Sequence, residues 1–165
     1  MADPPPLPWL YPYQEDPSSL RLGEPLYRPF VPIALANGDQ TTFQLTGLID
    51  TGADSVLASD YLADQLGIDL DDHDGETILG VGGHVAAVRY KTIGIRLYPK
   101  GEDEPCIEWQ APVGFIPNWH SYGFVLLGSV GFLDQFTVTA SRFAQAVAVE
   151  HRDAFDDRFG PVPVS

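Results

Sequence analysis

Leu48-Ile49-Asp50-Thr51-Gly52-Ala53-Asp54-Ser55 is an apolar, strand-like run closed by an aspartate and followed at once by Thr-Gly-Ala. Two readings compete for it. In the plainer one, a strand ends in an Asp-Thr-Gly turn and the aspartate bonds its own backbone. In the sharper one, a rigid strand end holds a carboxylate for chemistry. Gly52 then lets another backbone approach where a side chain would clash, Thr51 offers a hydroxyl that can lock the loop to a partner, and Ala53 keeps the floor small. Two carboxyls held close cannot both ionise easily, so such a pair shares one proton. One member activates water while the other polarises a carbonyl. The segment occurs once in 165 residues, so a pair needs a second copy of the chain.

Two further segments follow in order. Ile78-Leu79-Gly80-Val81-Gly82-Gly83-His84-Val85 is an apolar strand broken by three glycines and resumed through Val88 and Tyr90. It reads as a β-hairpin with a tip poor in side chains. Phe124-Val125-Leu126-Leu127-Gly128 is a short, fully apolar strand ending in glycine. An Asp-Thr-Gly turn, a Gly-x-Gly-Gly hairpin and a Leu-Leu-Gly strand, in this order, resemble the retroviral-type aspartic proteases, the retropepsin-like family. The continuation Gly131-Phe132-Leu133-Asp134-Gln135-Phe136 looks more like the bacterial single-domain members, where a short helical turn follows that strand. The resemblance runs from about Phe30 to Thr139.

The resemblance implies roles at the matching positions. Asp50 is then the catalytic aspartate, Thr51 the dimer lock, and Gly52 and Ala53 the rest of the active-site loop. Asp54 matches an aspartate that binds substrate backbone. Gly80, Val81, Gly82 and Gly83 form the flap tip, and Leu127 and Gly128 lie with the substrate-binding residues. No metal and no other cofactor is implied. Viral members usually carry an arginine after the glycine of the Leu-Leu-Gly strand, paired with the position of Asp54. Ser129 stands there in this chain, so either Arg28 or Arg142 substitutes or the dimer is weaker. His84 in the flap reads as a solvated loop histidine.

Bulk properties restrict the alternatives. A chain of this length suits one domain, and without a second Asp-Thr-Gly it is not an internally duplicated, two-lobed enzyme. Nine Lys and Arg against 23 Asp and Glu give a net charge of -14, which argues against nucleic acid or an anionic membrane as partner. Two such subunits repel, so dimerisation should strengthen with salt or acid. The single cysteine, Cys106, excludes an internal disulfide and a zinc cluster.

The ends differ from the middle. Nine of the 15 prolines precede Ile33. Residues 1–25 read as an extended, polyproline-like arm bearing Trp9, Tyr11 and Tyr13, either a floppy leader or a segment packed on the domain or a partner. The arm has no basic start or continuous apolar run, and no segment has transmembrane length, so a cytoplasmic location is expected. Residues 26–150 form the protease-like domain, and 151–165 a partly ordered tail.

Within the domain the pattern is all-β, fitting a small closed β-barrel with one or two short helices. Strands are expected over Tyr27–Ala36, Thr42–Ile49, Lys91–Tyr98, Cys106–Phe115, Phe136–Thr139 and Ala144–Val149. A turn is expected at Asn37-Gly38-Asp39, and a helix over Val56–Leu66 capped by Gly67. Asp69 to Gly75 imitates a calcium loop but places Leu70 and Val81 at ligand positions. The flap glycines fail the dinucleotide pattern at Val85, and His120, Ser121 and Asp134 lack a nucleophile elbow. The function expected is an aspartic endopeptidase acting on extended, hydrophobic peptide segments as a homodimer. The alternative is a domain of the same fold that binds peptides or scaffolds a complex without efficient cleavage.

Overall fold

The computed structural model describes residues 6–21, 23–71, 75–79, 85–100, 105–119 and 124–160. The flap tip Gly80–Gly83 with His84, the end of the acidic turn at 72–74, and His120 and Ser121 lie outside them. In chain order the strands are β1 (Trp9–Pro12), β2 (Gln14–Arg21), β3 (Glu24–Arg28), β4 (Phe30–Asn37), β5 (Gln40–Thr41), β6 (Leu45–Ile49) and β7 (Val56–Ser59). Helix α1 (Asp60–Gln65) follows, then β8 (Gly75–Leu79), β9 (Val85–Leu97), β10 (Ile107–Ile116), β11 (Phe124–Leu127), β12 (Phe136–Ser141) and β13 (Ala146–His151). A second helix, α2 (Ala154–Phe159), comes last.

Eight strands join in the order β5-β4-β6-β11-β7-β10-β9-β8. An extra pairing of β4 with β9, from Ile33↔Leu97 to Ala36↔Gly94, closes six of them into a barrel. The expected closed barrel with short helices is therefore present. Its interior holds Ile33, Leu35, Val56, Ile93, Ile95, Leu97, Val113, Phe115, Val125 and Leu127, all buried. In β9 Ile93, Ile95 and Leu97 alternate with the more exposed Thr92 and Arg96 about the buried Gly94, as a strand with one face in the core requires, whereas β4 is buried throughout from Phe30 to Ala36.

The helix expected over Val56–Leu66 is corrected. Val56 to Ser59 form β7, flanked by β10 in parallel and β11 in antiparallel, and only Asp60 to Gln65 are helical. All four residues of β7 are buried, so the strand lacks the alternation that separates strand from helix. Leu62, Ala63 and Leu66 seat the helix on the core, and Gly67, at φ 61°, ends it as expected.

The terminal strands form their own sheet. β12 and β13 do not extend the barrel sheet; they form a hairpin, and β1 adds to β13 to give the order β1-β13-β12. Alternation within β1 explains why the arm docks. Trp9 and Tyr11 point inward at 5% and 3% exposure, while Leu10 points outward at 70%. Pro8 and Pro12 are tolerated because β1 is an edge strand. The Tyr11 hydroxyl donates to the carbonyl of Tyr98 at 2.8 Å, which ties the arm to the end of β9. β2 and β3 form a separate hairpin, where the Arg28 guanidinium pairs with the buried Asp16 at 2.5 Å.

The arm is therefore expected to hold the fold together. Trp9→Ala should lower unfolding stability by about 3–5 kcal/mol, whereas Leu10→Ala should change it by about 0.5 kcal/mol or less, both read by denaturant titration. Burial also pushes the Tyr11 phenol well above its ordinary value. The unfolded chain ionises this group near pH 10 and the folded chain only at higher pH. Its contribution is thus complete below pH 10 and falls as the pH rises beyond it. Tyr11→Phe should cost about 1 kcal/mol at pH 7 yet show a shallower alkaline decline in melting temperature.

Candidate active site

β6 and β11 run parallel and in register, with Leu48 opposite Leu126 and Ile49 opposite Leu127. Both end at the same level, so Asp50 and Gly128 emerge side by side from adjacent strands. The Asp50 N–H donates to the carbonyl of Leu127 at 3.1 Å. Beyond it the chain turns: the Ala53 N–H reaches the Asp50 carbonyl at 3.2 Å, and the Gly52 N–H donates to Asp50 Oδ1 at 2.9 Å. The Asp-Thr-Gly turn of the plainer reading is thus real, and its side-chain bond orients the half-buried Asp50 carboxylate.

The loop is then clamped from below. Ser129 N–H donates to the carbonyl of Ala53 and Val130 N–H to that of Asp54, both at 2.9 Å. Ser55 and Val130 form a parallel bridge. Gly128 makes this approach possible, since a Cβ there would lie 2.5 Å from the carbonyl oxygens of Ala53 and Ser55. Gly52 is different: a Cβ would meet only Asp50 Oδ1, at 3.3 Å. Gly128 serves close packing, and Gly52 supplies an N–H to the carboxylate.

The remaining sequence-derived positions fall on both sides of this loop. Thr51, Gly52 and Asp54 are exposed and Ala53 is half-buried. Leu127 is fully buried, so its side chain belongs to the core and its carbonyl supports Asp50. Neither arginine replaces the one absent at Ser129: Arg28 pairs with Asp16, and Arg142 donates to the carbonyl of Tyr27 at 2.9 Å. Among the described residues Asp54 forms no ion pair. Gly80 to Gly83 lie outside the described residues, but the strands on either side of them pair antiparallel from Gly75↔Arg89 to Leu79↔Val85.

Two supports have weak signals in the sequence. Ser55 Oγ and the Tyr90 hydroxyl are hydrogen-bonded at 2.9 Å, linking the Asp50 loop to the strand that rises toward the hairpin tip. They are 35 residues apart and only the barrel brings them together. Asp134 Oδ1 accepts the Gly131 N–H at 3.1 Å, and Trp109 Nε1 donates to the Gly131 carbonyl at 2.8 Å. The aspartate is legible as a turn residue three positions on, while the tryptophan has no local signal.

A cleft of about 560 Å³ opens beside Asp50 and Thr51, walled by Pro29, Ile49, Phe136, Val138, Ala140 and Phe155 among others. Smaller clefts of about 400 Å³ between arm and barrel, and about 290 Å³ beside α1, do not touch the Asp50 loop. Among the described residues no cluster of His, Cys, Asp and Glu could hold a metal ion, and no helix is long and apolar enough to cross a membrane.

The overall fold has counterparts among solved structures. A retropepsin-like aspartic protease from Rickettsia conorii superposes with a TM-score of 0.51 at 16% identity, covering 73% of this chain and 88% of that one. The fold is retropepsin-like. The EIAV protease complexed with the inhibitor HBY-793 superposes more loosely, at a TM-score of 0.36 and 23% identity, over 67% of this chain and 88% of that one. No family model matches the chain, and no curated protein matches it.

Gly52 in the Asp50 loop and Gly128 beneath it should respond differently to an added methyl. Gly128→Ala should lose about 1–3 kcal/mol or more of stability, because backbone rather than a pliable side chain blocks the new methyl. Gly52→Ala should leave the unfolding midpoint nearly unchanged. Parallel urea titrations of the two variants read the difference.

Proposed function

We propose that this chain is an aspartic endopeptidase whose two catalytic carboxylates are the Asp50 residues of a homodimer. One observation carries the reading. Asp50 leaves the end of a core strand with its carboxylate oriented by the Gly52 N–H and its backbone held by Leu127, in a retropepsin-like fold that contains the segment once. A lone carboxylate can take a proton from water or hold one, but it cannot do both. Two of them sharing a proton can.

In this mechanism the ionised Asp50 removes a proton from water, whose oxygen attacks the peptide carbonyl carbon. The protonated Asp50 of the other subunit gives its proton to the carbonyl oxygen, leaving a diol on the former carbonyl carbon. The C–N bond then breaks as the Asp50 that took the water proton gives it to the amide nitrogen. The other Asp50 takes a proton from the diol, which releases acid and amine and restores the singly protonated pair. Thr51 locks the two loops together, Gly52 contacts the substrate main chain, and Asp54 receives backbone N–H groups. Gly80, Val81, Gly82 and Gly83 close over the peptide, which lies as an added strand. Ala53 and Gly128 keep the site floor low. The substrate class is an extended peptide segment with bulky apolar residues beside the scissile bond.

Activity then needs the singly protonated pair. It rises as the first carboxylate ionises and falls as the second does, giving a bell-shaped profile with its maximum on the acidic side. Cleavage of a complex peptide mixture between pH 3 and 8, read by mass spectrometry, tests this. Asp50→Asn should lower cleavage by about 10²–10⁴-fold or more and leave the melting temperature close to that of wild type. Equal cleavage by both proteins at high concentration and high salt would remove the proposal.

A further inference from the structure

A side chain can tie two strands across a third only where the middle strand leaves room for it. β7, β10 and β9 lie side by side, and Leu57, Gly114 and Tyr90 are partners in one row across them. The outer two strands are about 10 Å apart, so the Tyr90 ring has to cross β10 to reach toward β7. Gly114 lets it cross: a Cβ there would lie 2.9 Å from Tyr90 Cε1, 2.8 Å from Leu57 and 2.6 Å from Val88. Ser55 stands two residues before Leu57 and so shares its side of the sheet. Its buried Oγ meets the Tyr90 hydroxyl at 2.9 Å. The ring itself packs against the cluster of Leu57, Val88 and Ile116, which holds it in place whether or not the hydroxyl is bonded.

The loop from Asp50 to Ser55 is thus held in two ways. Backbone bonds with Leu127, Ser129 and Val130 fix it to β11 and the turn that follows. The Ser55–Tyr90 bond fixes its far end to β9, one residue past Asp54 and at the root of the β8–β9 hairpin, where pairing starts at Gly75↔Arg89. Asp54 is exposed and forms no ion pair among the described residues, so its position is set by the backbone on either side of it. We propose that Tyr90 is a positioning residue: acting through Ser55, it fixes Asp54 where a peptide main chain is to be held. The proposal rests on the substrate-binding role given to Asp54 above. The bond acts on the binding end of the loop and not on its catalytic end, because Asp50 is held separately by Leu127 and Gly52. Losing the hydroxyl therefore weakens substrate binding without slowing the chemical step. A bond that merely stabilised the barrel would do neither.

Tyr90→Phe provides the test, because it removes the bond and keeps the ring. It should raise KM for peptide cleavage by about tenfold and leave kcat within about twofold of wild type. Ser55→Ala removes the same bond from the other end and should do the same, and the double variant should add nothing further. Ser55→Thr, which keeps a hydroxyl, should hold KM near the wild-type value. A second readout needs no catalysis. In Tyr90→Phe, amide hydrogen exchange followed by NMR should quicken by about tenfold at Ser129 and Val130, the donors to Ala53 and Asp54. The amides of β9 and β10 should keep their protection. Exchange at Ser129 and Val130 as slow as in wild type would overturn the proposal. So would a fall in kcat with KM unchanged, or protection lost equally throughout β9 and β10. If exchange quickens at the loop alone and wild type cuts no peptide, the tie through Tyr90 stands and the endopeptidase reading fails.

Discussion

The architecture around Asp50 depends on one backbone crossing. The chain at Gly128 passes so close under the loop from Ala53 to Ser55 that a single added carbon would collide with two carbonyl oxygens. In return Ser129 and Val130 donate to Ala53 and Asp54, and the loop gains fixed partners for polar groups that its turn geometry leaves over. With Leu127 holding the Asp50 N–H from the other side, the position of one carboxylate is set by backbone bonds to a strand about 75 residues later in the chain. A long side chain could not place the group as rigidly, since each free rotamer would have to be frozen separately.

That crossing is supported in turn by aromatic packing. The rings of Trp109, Phe132 and Phe136 meet at centroid distances of 4.9 to 6.1 Å, joining the barrel strand β10, the turn after Gly128 and the start of β12. Trp109 also bonds the Gly131 carbonyl, so the ring that fills the space fixes the turn as well. The three-stranded sheet is thereby attached to the Asp50 loop through the core. Trp9 and Tyr11 extend the same core to the N-terminal arm. The arm, the terminal hairpin and the loop are thus linked parts of one packing unit.

Much of this was legible because it is written locally. An apolar run closed by Asp50, a glycine at 128 after two leucines, and alternating residues in β9 each state their geometry over a few neighbours. What failed was what neighbours cannot state. β7 is buried on both faces, so Val56 to Ser59 have no alternation to mark them as a strand. The prolines of the arm left open whether it floats or packs; its aromatics Trp9 and Tyr11 hinted at packing but could not name their contacts, Val149, Val147 and Tyr98, which lie far along the chain. Likewise no spacing rule joins Ser55 to Tyr90 or Trp109 to Gly131. The Asp50 turn was readable from its own residues and its supports were not, because the supports are made by topology.

On the proposed dimer, acid acts twice, and the two actions separate. Protonating surface carboxylates lowers the repulsion between two subunits of net charge -14, and it also keeps the shared proton on the Asp50 pair. Salt does only the first, since about 1 M shortens the Debye length to about 3 Å without adding a proton to a pair enclosed between subunits. If repulsion alone limited activity at neutral pH, high salt would move the whole activity profile toward neutrality. If the shared proton sets the limit, salt would raise the profile where dimers are scarce and leave its alkaline edge in place. The second follows from the physical picture here, because surface charges face solvent and are screened, whereas two carboxylates in contact across an axis exclude the ions that would screen them.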